Sequence, residues 1–241
     1  MAWSHTIWNM CFQKSKVMSD APIQALIFDM DGVLLDTAHH HFVAWQRLAE
    51  ELGIDFSVQD NEKLKGLSRV ESLERILTLG GLTLNNDKKL QLMERKNRWY
   101  VELIVDMQPE EVLPGVRAFL QTAREAGLRI ALGSSSRNAG AILTRCELAP
   151  LFDAAIDGNH VTHSKPDPEV FIKGAAALNV DPSRCVVFED AQAGIQAALA
   201  GGFFAVGVGL PENLPRAQFV IPGFEGLSLE TIFEALARPT T

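Results

Sequence analysis

"LIFDMDGVLLDT", Leu26 to Thr37, sets an apolar run directly before three aspartates, Asp29, Asp31 and Asp36. Carboxylates repel one another, so grouping them at the end of a hydrophobic segment calls for a shared purpose. The segment from Ile23 to Asp29 is short, mostly apolar and closed by a turn signal, which predicts a buried parallel strand. "LRIALGS" (Leu128–Ser134), "RCVVFED" (Arg184–Asp190) and "FFAVGVG" (Phe203–Gly209) read the same way, and "FDAAID" (Phe152–Asp157) is a weaker fifth strand. Helical patterns alternate with them in "GVRAFLQTAREAG", "NAGAILTRCEL", "PEVFIKGAAALNV" and "AQAGIQAALAGG". Strand–helix alternation with glycine at the joints predicts an α/β fold, a parallel sheet with helices on both faces.

Residues 37–107 break that rhythm. They hold the amphipathic patterns "HFVAWQRLAEEL", "RVESLERILTLGG" and "KKLQLMERKNRWYVELIVDM" and no convincing strand. The expected organisation is therefore a core of residues 21–36 and 108–241 with a helical insert after the first strand. Residues 1–20 show neither a charged start nor a continuous apolar stretch, so they do not read as a signal peptide. They are expected to be a functionless extension, disordered or preceding a true start at Met18.

Bulk composition narrows the function. With 22 Lys+Arg against 30 Asp+Glu the net charge is −8, which argues against a broad electrostatic grip on nucleic acid. Cys11, Cys146 and Cys185 are far apart and form no CxxC pair, as expected of buried thiols in a reducing compartment, here the cytoplasm. No run approaches the roughly 18 apolar residues that span a membrane. A monomer acting on a small molecule is the expectation.

In an open parallel sheet, ligands bind at the carboxyl ends of the strands. Asp29 and Asp31, Ser134, Lys165, and Glu189 with Asp190 all fall there. Each alone reads as a cap or a solvated residue, but together they define a task. Clustered carboxylates suit Mg²⁺, while a lysine and a hydroxyl suit a phosphate. A carboxylate that attacks a phosphate dianion needs those cations to offset like-charge repulsion. Asp29 at the strand end is then the candidate nucleophile. Asp31, two residues on and on the same side if extended geometry persists, is the candidate general acid/base. Gly32 would allow the turn that brings Asp31 back over the site, and Asp36 would cap the first insert helix.

"DMDGVLLDT", "SSSRN", "SKPDPEVF" and "EDAQAGIQAA" resemble the four motifs of the haloacid dehalogenase superfamily, over Ile23 to Gly209. The resemblance implies a Rossmannoid core with a mobile helical cap where the insert lies. It also implies Asp29 as the phosphorylated nucleophile, Asp31 as acid/base, and Ser134 and Lys165 as phosphate ligands. The implied Mg²⁺ ligands are Asp29, the main-chain carbonyl of Asp31, Glu189 and Asp190. "HFVAW", "LKGLSR", "RKN" and "SSSRN" are further similar to that superfamily's hexose-phosphate mutases, which interconvert β-glucose 1-phosphate and glucose 6-phosphate through a bisphosphate. A mutase must hold a second phosphate away from Asp29. Arg69 suits that task, with Gly66 and Ser68 shaping its turn and Ser136, Arg137 and Asn138 completing the pocket.

His41 would lie over Asp31, Thr37 joins the substrate set, and Lys65 and Lys96 would link insert position to substrate. Against these stand plainer readings. His39–His41 read equally as a solvated run, Trp45 as core, Lys65 as a solvated loop lysine and Lys96 as an exposed helix face. A sugar-phosphate phosphatase and a Mg²⁺-binding module without turnover remain alternatives. A phosphonatase would need Lys63 or Lys65 in an apolar setting.

Overall fold

The structure, a computed structural model, describes residues 23–237. The expected N-terminal extension and Cys11 lie outside the described residues. Six strands form one parallel sheet in the order β3-β2-β1-β4-β5-β6. They are β1 (Ala25–Phe28), β2 (Arg129–Gly133), β3 (Ala154–Ile156), β4 (Cys185–Glu189), β5 (Phe204–Val208) and β6 (Phe219–Ile221). β1 and β4 are buried at every residue, as continuous apolar runs in a parallel sheet must be. The edge strand β6 was not anticipated; three residues after "PRAQ" carry too little pattern to register.

Alternate side chains of each strand feed two cores. Leu26 and Phe28 of β1 face helices α5 (Val116–Glu125), α6 (Ala139–Arg145) and α9 (Leu229–Ala237). On that face Phe28 stacks on Phe188 at 4.7 Å, with Phe119 edge-on to both. Ala25 and Ile27 face α7 (Glu169–Leu178) and α8 (Gln192–Ala200). The expected doubly covered sheet is present. Cys146 and Cys185 are free and buried, as expected of them.

Between β1 and α5 come four α-helices, α1 (Ala38–Glu51), α2 (Val58–Glu62), α3 (Arg69–Leu79) and α4 (Asn86–Ile104). They bury a cluster of their own, including Trp45, Leu48, Phe56, Leu73, Ile76 and Leu92. The short α2 was not anticipated, although Ser57 and Asp60 close a capping box at its start. No helix among the described residues is long and apolar enough to cross a membrane.

The two chain segments joining these helices to the sheet run side by side. Leu35 bridges to Val112, and the Leu113 amide donates to the Leu34 carbonyl at 3.0 Å. Gly115 ends the second segment at φ 79°, where a Cβ would come within 2.3 Å of the Phe224 main chain. No other residue fits there without moving backbone.

Candidate active site

Register aligns the strand ends. Phe28 of β1 lies beside Leu132 of β2 and Phe188 of β4, so Asp29, Gly133 and Glu189 come level at one edge of the sheet. Asp29 is held there by its amide, which donates to the Phe188 carbonyl at 2.9 Å. Ser134 follows β2 and is fully buried; its hydroxyl accepts from the Ser136 amide at 3.1 Å and so shapes the next turn.

Beyond Asp29 the chain does not stay extended. Residues 30–35 fold into a tight turn in which the Gly32 amide donates to the Leu35 carbonyl at 2.8 Å. Asp31 therefore reaches the site by that turn and not by strand alternation. Gly32 has φ 80°, and a Cβ on it would sit 2.3 Å from Asp190 Oδ2, so glycine is needed for both conformation and approach. Nor does Asp36 cap α1. Thr37 occupies the N-cap and makes no side-chain cap bond, because its hydroxyl donates to Asp31 Oδ1 instead.

Lys165 is fully buried, and its ammonium donates to Asp29 Oδ1 at 2.6 Å and to Glu189 Oε2 at 2.7 Å. Burial would lower its pKa, but the two carboxylates outweigh that and raise it. Glu189 Oε1 also accepts from the Ala191 amide at 3.0 Å. Carboxylate oxygens of Asp29, Glu189 and Asp190 lie within 4.8 Å of one another. Burial, with the neighbouring acids, pushes Glu189 up to about 8 and Asp190 up to about 7. One lysine does not balance this charge density, and hard oxygen donors so placed suit a divalent cation. Lys65 reaches in from the loop before α3, 3.5 Å from Asp190 Oδ2 and 3.0 Å from Glu62.

A second group of residues lines the same cavity, a space of about 1230 Å³ between the helices and the sheet edge. Arg69 opens α3, whose N-cap Ser68 forms a capping box with Glu71. Arg69 Nη2 donates to Asn97 Oδ1 at 2.7 Å, and Asn138 Nδ2 donates to the same oxygen at 3.1 Å. Arg137 is close enough to Arg69 for its charge, after burial, to lower the Arg69 pKa. Ser136 is buried and its hydroxyl accepts from the Asn138 amide at 3.3 Å. Among the described residues neither arginine has a carboxylate partner.

His41 and Lys96 join the two groups. His41 Nε2 stands 3.9 Å from Asp31 Oδ1, and its Nδ1 is 2.9 Å from the Lys96 ammonium. Burial, then Lys96 and Arg69, drive the His41 pKa well down, which favours the neutral ring, and its Nε2, on the Asp31 side, completes no hydrogen bond. Lys96 is buried, so the exposed-face reading fails; burial and Arg69 lower its pKa too. Asp31 itself is pushed up to about 6, by burial and by Asp29. Trp45 serves both readings: it belongs to the helical cluster, and its ring faces the Lys96 ammonium at 4.6 Å. Lys63 is an exposed surface lysine paired with Asp60.

The structure thus gathers Asp29, Asp31, Glu189, Asp190, Ser134 and Lys165 at one strand edge, with Thr37 behind Asp31. Trp45, Lys65, Gly66, Arg69, Ser136, Arg137 and Asn138 line the cavity above. Sequence reasoning missed four contributors. Asn97 is the acceptor shared by Arg69 and Asn138. The Ser135 hydroxyl donates to the Gly66 carbonyl at 3.1 Å. Glu71 Oε2 accepts from Ser68 and, at 2.7 Å, from Ser164 beside Lys165. The fourth, Tyr100, lies buried beside His41. Asn97 and Ser135 fall inside the quoted "RKN" and "SSSRN" but were given no role of their own, and Glu71 had a signal in the S-x-x-E capping box of Ser68 to Glu71.

A family model described as haloacid dehalogenase-like hydrolase matches residues 23–202. The β-phosphoglucomutase of Bacillus subtilis strain 168 is 44% identical over 214 residues, 88% of this chain and 95% of that protein. A phosphorylated carbohydrates phosphatase of Thermotoga maritima is 34% identical over 184 residues, 75% of this chain and 82% of that one. Among solved structures, a β-phosphoglucomutase from Clostridium difficile matches with a TM-score of 0.85 at 40% identity, covering 88% of this chain and 96% of its own.

Proposed function

Because the chain belongs to the haloacid dehalogenase-like hydrolase family, we propose that it is a hexose-phosphate mutase of that family, a β-phosphoglucomutase, interconverting β-glucose 1-phosphate and glucose 6-phosphate. The observation that carries this reading is the pair Arg69 and Arg137. These two cations, without carboxylate partners among the described residues, line the cavity that also holds the nucleophile. A hydrolase acting on one phosphate needs a single anion site, whereas a mutase needs two. The 44% identity to a β-phosphoglucomutase supports the same reading.

Asp29, phosphorylated at the outset, gives its phosphoryl group to a hydroxyl of the hexose monophosphate. The phosphorus–Oδ bond breaks as the phosphorus–sugar oxygen bond forms, and Asp31 takes the hydroxyl proton. The product is a hexose 1,6-bisphosphate. Turned end for end, it presents its other phosphate to Asp29, which attacks; the ester bond breaks and Asp31 returns the proton to the leaving oxygen. A pKa near 6 suits Asp31 to both roles close to neutral pH. His41, with Nε2 3.9 Å from Asp31, steadies the carboxylate, while Lys96 at Nδ1 fixes the ring from behind.

Lys165 holds Asp29 in place and offsets its charge against the incoming dianion. Ser134 and Lys165 bind the transferring phosphate, and Arg69, Ser136, Arg137 and Asn138 bind the other. The insert, a cap over residues 37–107, opens and closes on the paired segments at 35–37 and 112–115 and excludes water when closed. Mg²⁺ is the cofactor that the oxygen donors of Asp29, Glu189, Asp190 and the Asp31 carbonyl would hold, and it would neutralise the transferring phosphate.

Phosphorus NMR tests the reading. The protein with β-glucose 1-phosphate, Mg²⁺ and a trace of glucose 1,6-bisphosphate is expected to yield glucose 6-phosphate. Inorganic phosphate as the sole product would make it a sugar-phosphate phosphatase, the activity named for the Thermotoga relative.

A further inference from the structure

Tyr100 lies on α4 one turn after Lys96 and has only 1% of its surface exposed. Its ring sits 4.1 Å from the His41 ring at an angle of 36°, and the Lys96 ammonium stands 4.6 Å above its face. Those contacts explain an aromatic ring at this position but not the hydroxyl. The hydroxyl oxygen is buried and completes no hydrogen bond of good geometry, although the Ser136 and Thr37 hydroxyls lie near enough to pull its pKa slightly down. Buried polar atoms almost always find a partner, and one left alone costs free energy that phenylalanine would avoid.

The surroundings show what the hydroxyl faces. Tyr100, Asp31, Arg69 and Ser136 line the same cavity. Burial and then the charge of Asp31 hold the phenol pKa well above its ordinary value, so the group stays protonated and can donate. It lines the cavity that holds both the acid/base Asp31 and the Arg69 pocket.

We propose that the Tyr100 hydroxyl is a substrate-binding donor, completing its hydrogen bond on an oxygen of the hexose phosphate held between Asp31 and the Arg69 pocket. The group is paired only in the complex, so part of its desolvation is already met before substrate arrives. This inference rests on the hexose-phosphate reading above. Bound in either orientation, the bisphosphate presents an oxygen to the same donor, as a mutase requires.

Tyr100→Phe tests it, because the ring contacts with His41 and Lys96 survive and only the unpaired hydroxyl goes. kcat/KM for β-glucose 1-phosphate is expected to fall roughly three- to tenfold. Mg²⁺-dependent hydrolysis of para-nitrophenyl phosphate, which has no sugar, should stay within twofold of wild type. The melting temperature of the free protein should stay level or rise. Unchanged turnover of β-glucose 1-phosphate would overturn the proposal, as would equal loss on both substrates or a lower melting temperature, which would make the hydroxyl structural. Wild-type protein that converts no hexose phosphate would overturn the functional reading as well; wild-type conversion with an unaffected variant removes only the role of Tyr100.

Discussion

Arg69→Ala separates a two-phosphate site from a one-phosphate site. The guanidinium is anchored by one bond, Nη2 to Asn97 Oδ1 at 2.7 Å, which leaves its remaining donors for the cavity. A phosphate there would take charge-assisted hydrogen bonds worth about 1.5–3 kcal/mol, or roughly ten- to a hundredfold in kcat/KM for the hexose phosphates. Para-nitrophenyl phosphate has no second phosphate, so its hydrolysis at Asp29 should change by less than about twofold. The free protein should not lose stability: the lost Asn97 bond is offset by relief of the Arg69–Arg137 repulsion. Steady-state kinetics on both substrates, with a melting curve, give the answer. Equal loss on the two substrates, or none on either, would refute the assignment of Arg69 to the non-transferring phosphate.

Asp31→Asn should slow phosphoryl transfer by roughly 10²–10⁴-fold while leaving Mg²⁺ affinity nearly intact, measured by turnover and metal titration; near-normal kcat would remove its acid/base role. Glu71→Ala deletes both the α3 capping box and the bridge to Ser164, so the melting temperature should drop by about 2–6 °C; no change would mean the bridge is not formed in solution. In metal-free protein, Glu189 near 8 and Asp190 near 7 keep protons that the unfolded chain releases near pH 4. Stability should therefore fall as pH rises from about 4 to 8, by an amount on the order of a few kcal/mol, and saturating Mg²⁺ should restore it. A metal-free melting temperature that is flat or rises from pH 5.5 to 8.5, read by calorimetry, would count against that clustering.

The sheet was legible wherever a strand was long enough to carry an unbroken apolar run. β1, β2, β4 and β5 stand within about two residues of where the runs placed them, whereas three-residue β6 left no pattern. The gathering of the strand-end residues was legible because parallel topology sends every strand's carboxyl end to one edge. Asp31 comes to the strand edge by a turn pinned by Gly32, where strand alternation was expected to bring it. What stayed hidden depends on contacts across long stretches of chain. Asn97 meets residues 28 and 41 positions away, and Glu71 meets Ser164 across 93. No local pattern encodes such partners, and the unpaired Tyr100 hydroxyl shows only when the whole cavity is assembled around it.

The most direct test of a site with two phosphate ends is a crystal structure of the Asp29→Asn protein with Mg²⁺ and glucose 1,6-bisphosphate. The substitution blocks transfer, so the intermediate should remain intact in the closed cavity. One phosphate is expected against residue 29, Ser134 and Lys165, and the other within hydrogen-bond reach of Arg69, Ser136 and Asn138. A bisphosphate with its second phosphate in solvent, away from Arg69, would contradict the mutase assignment.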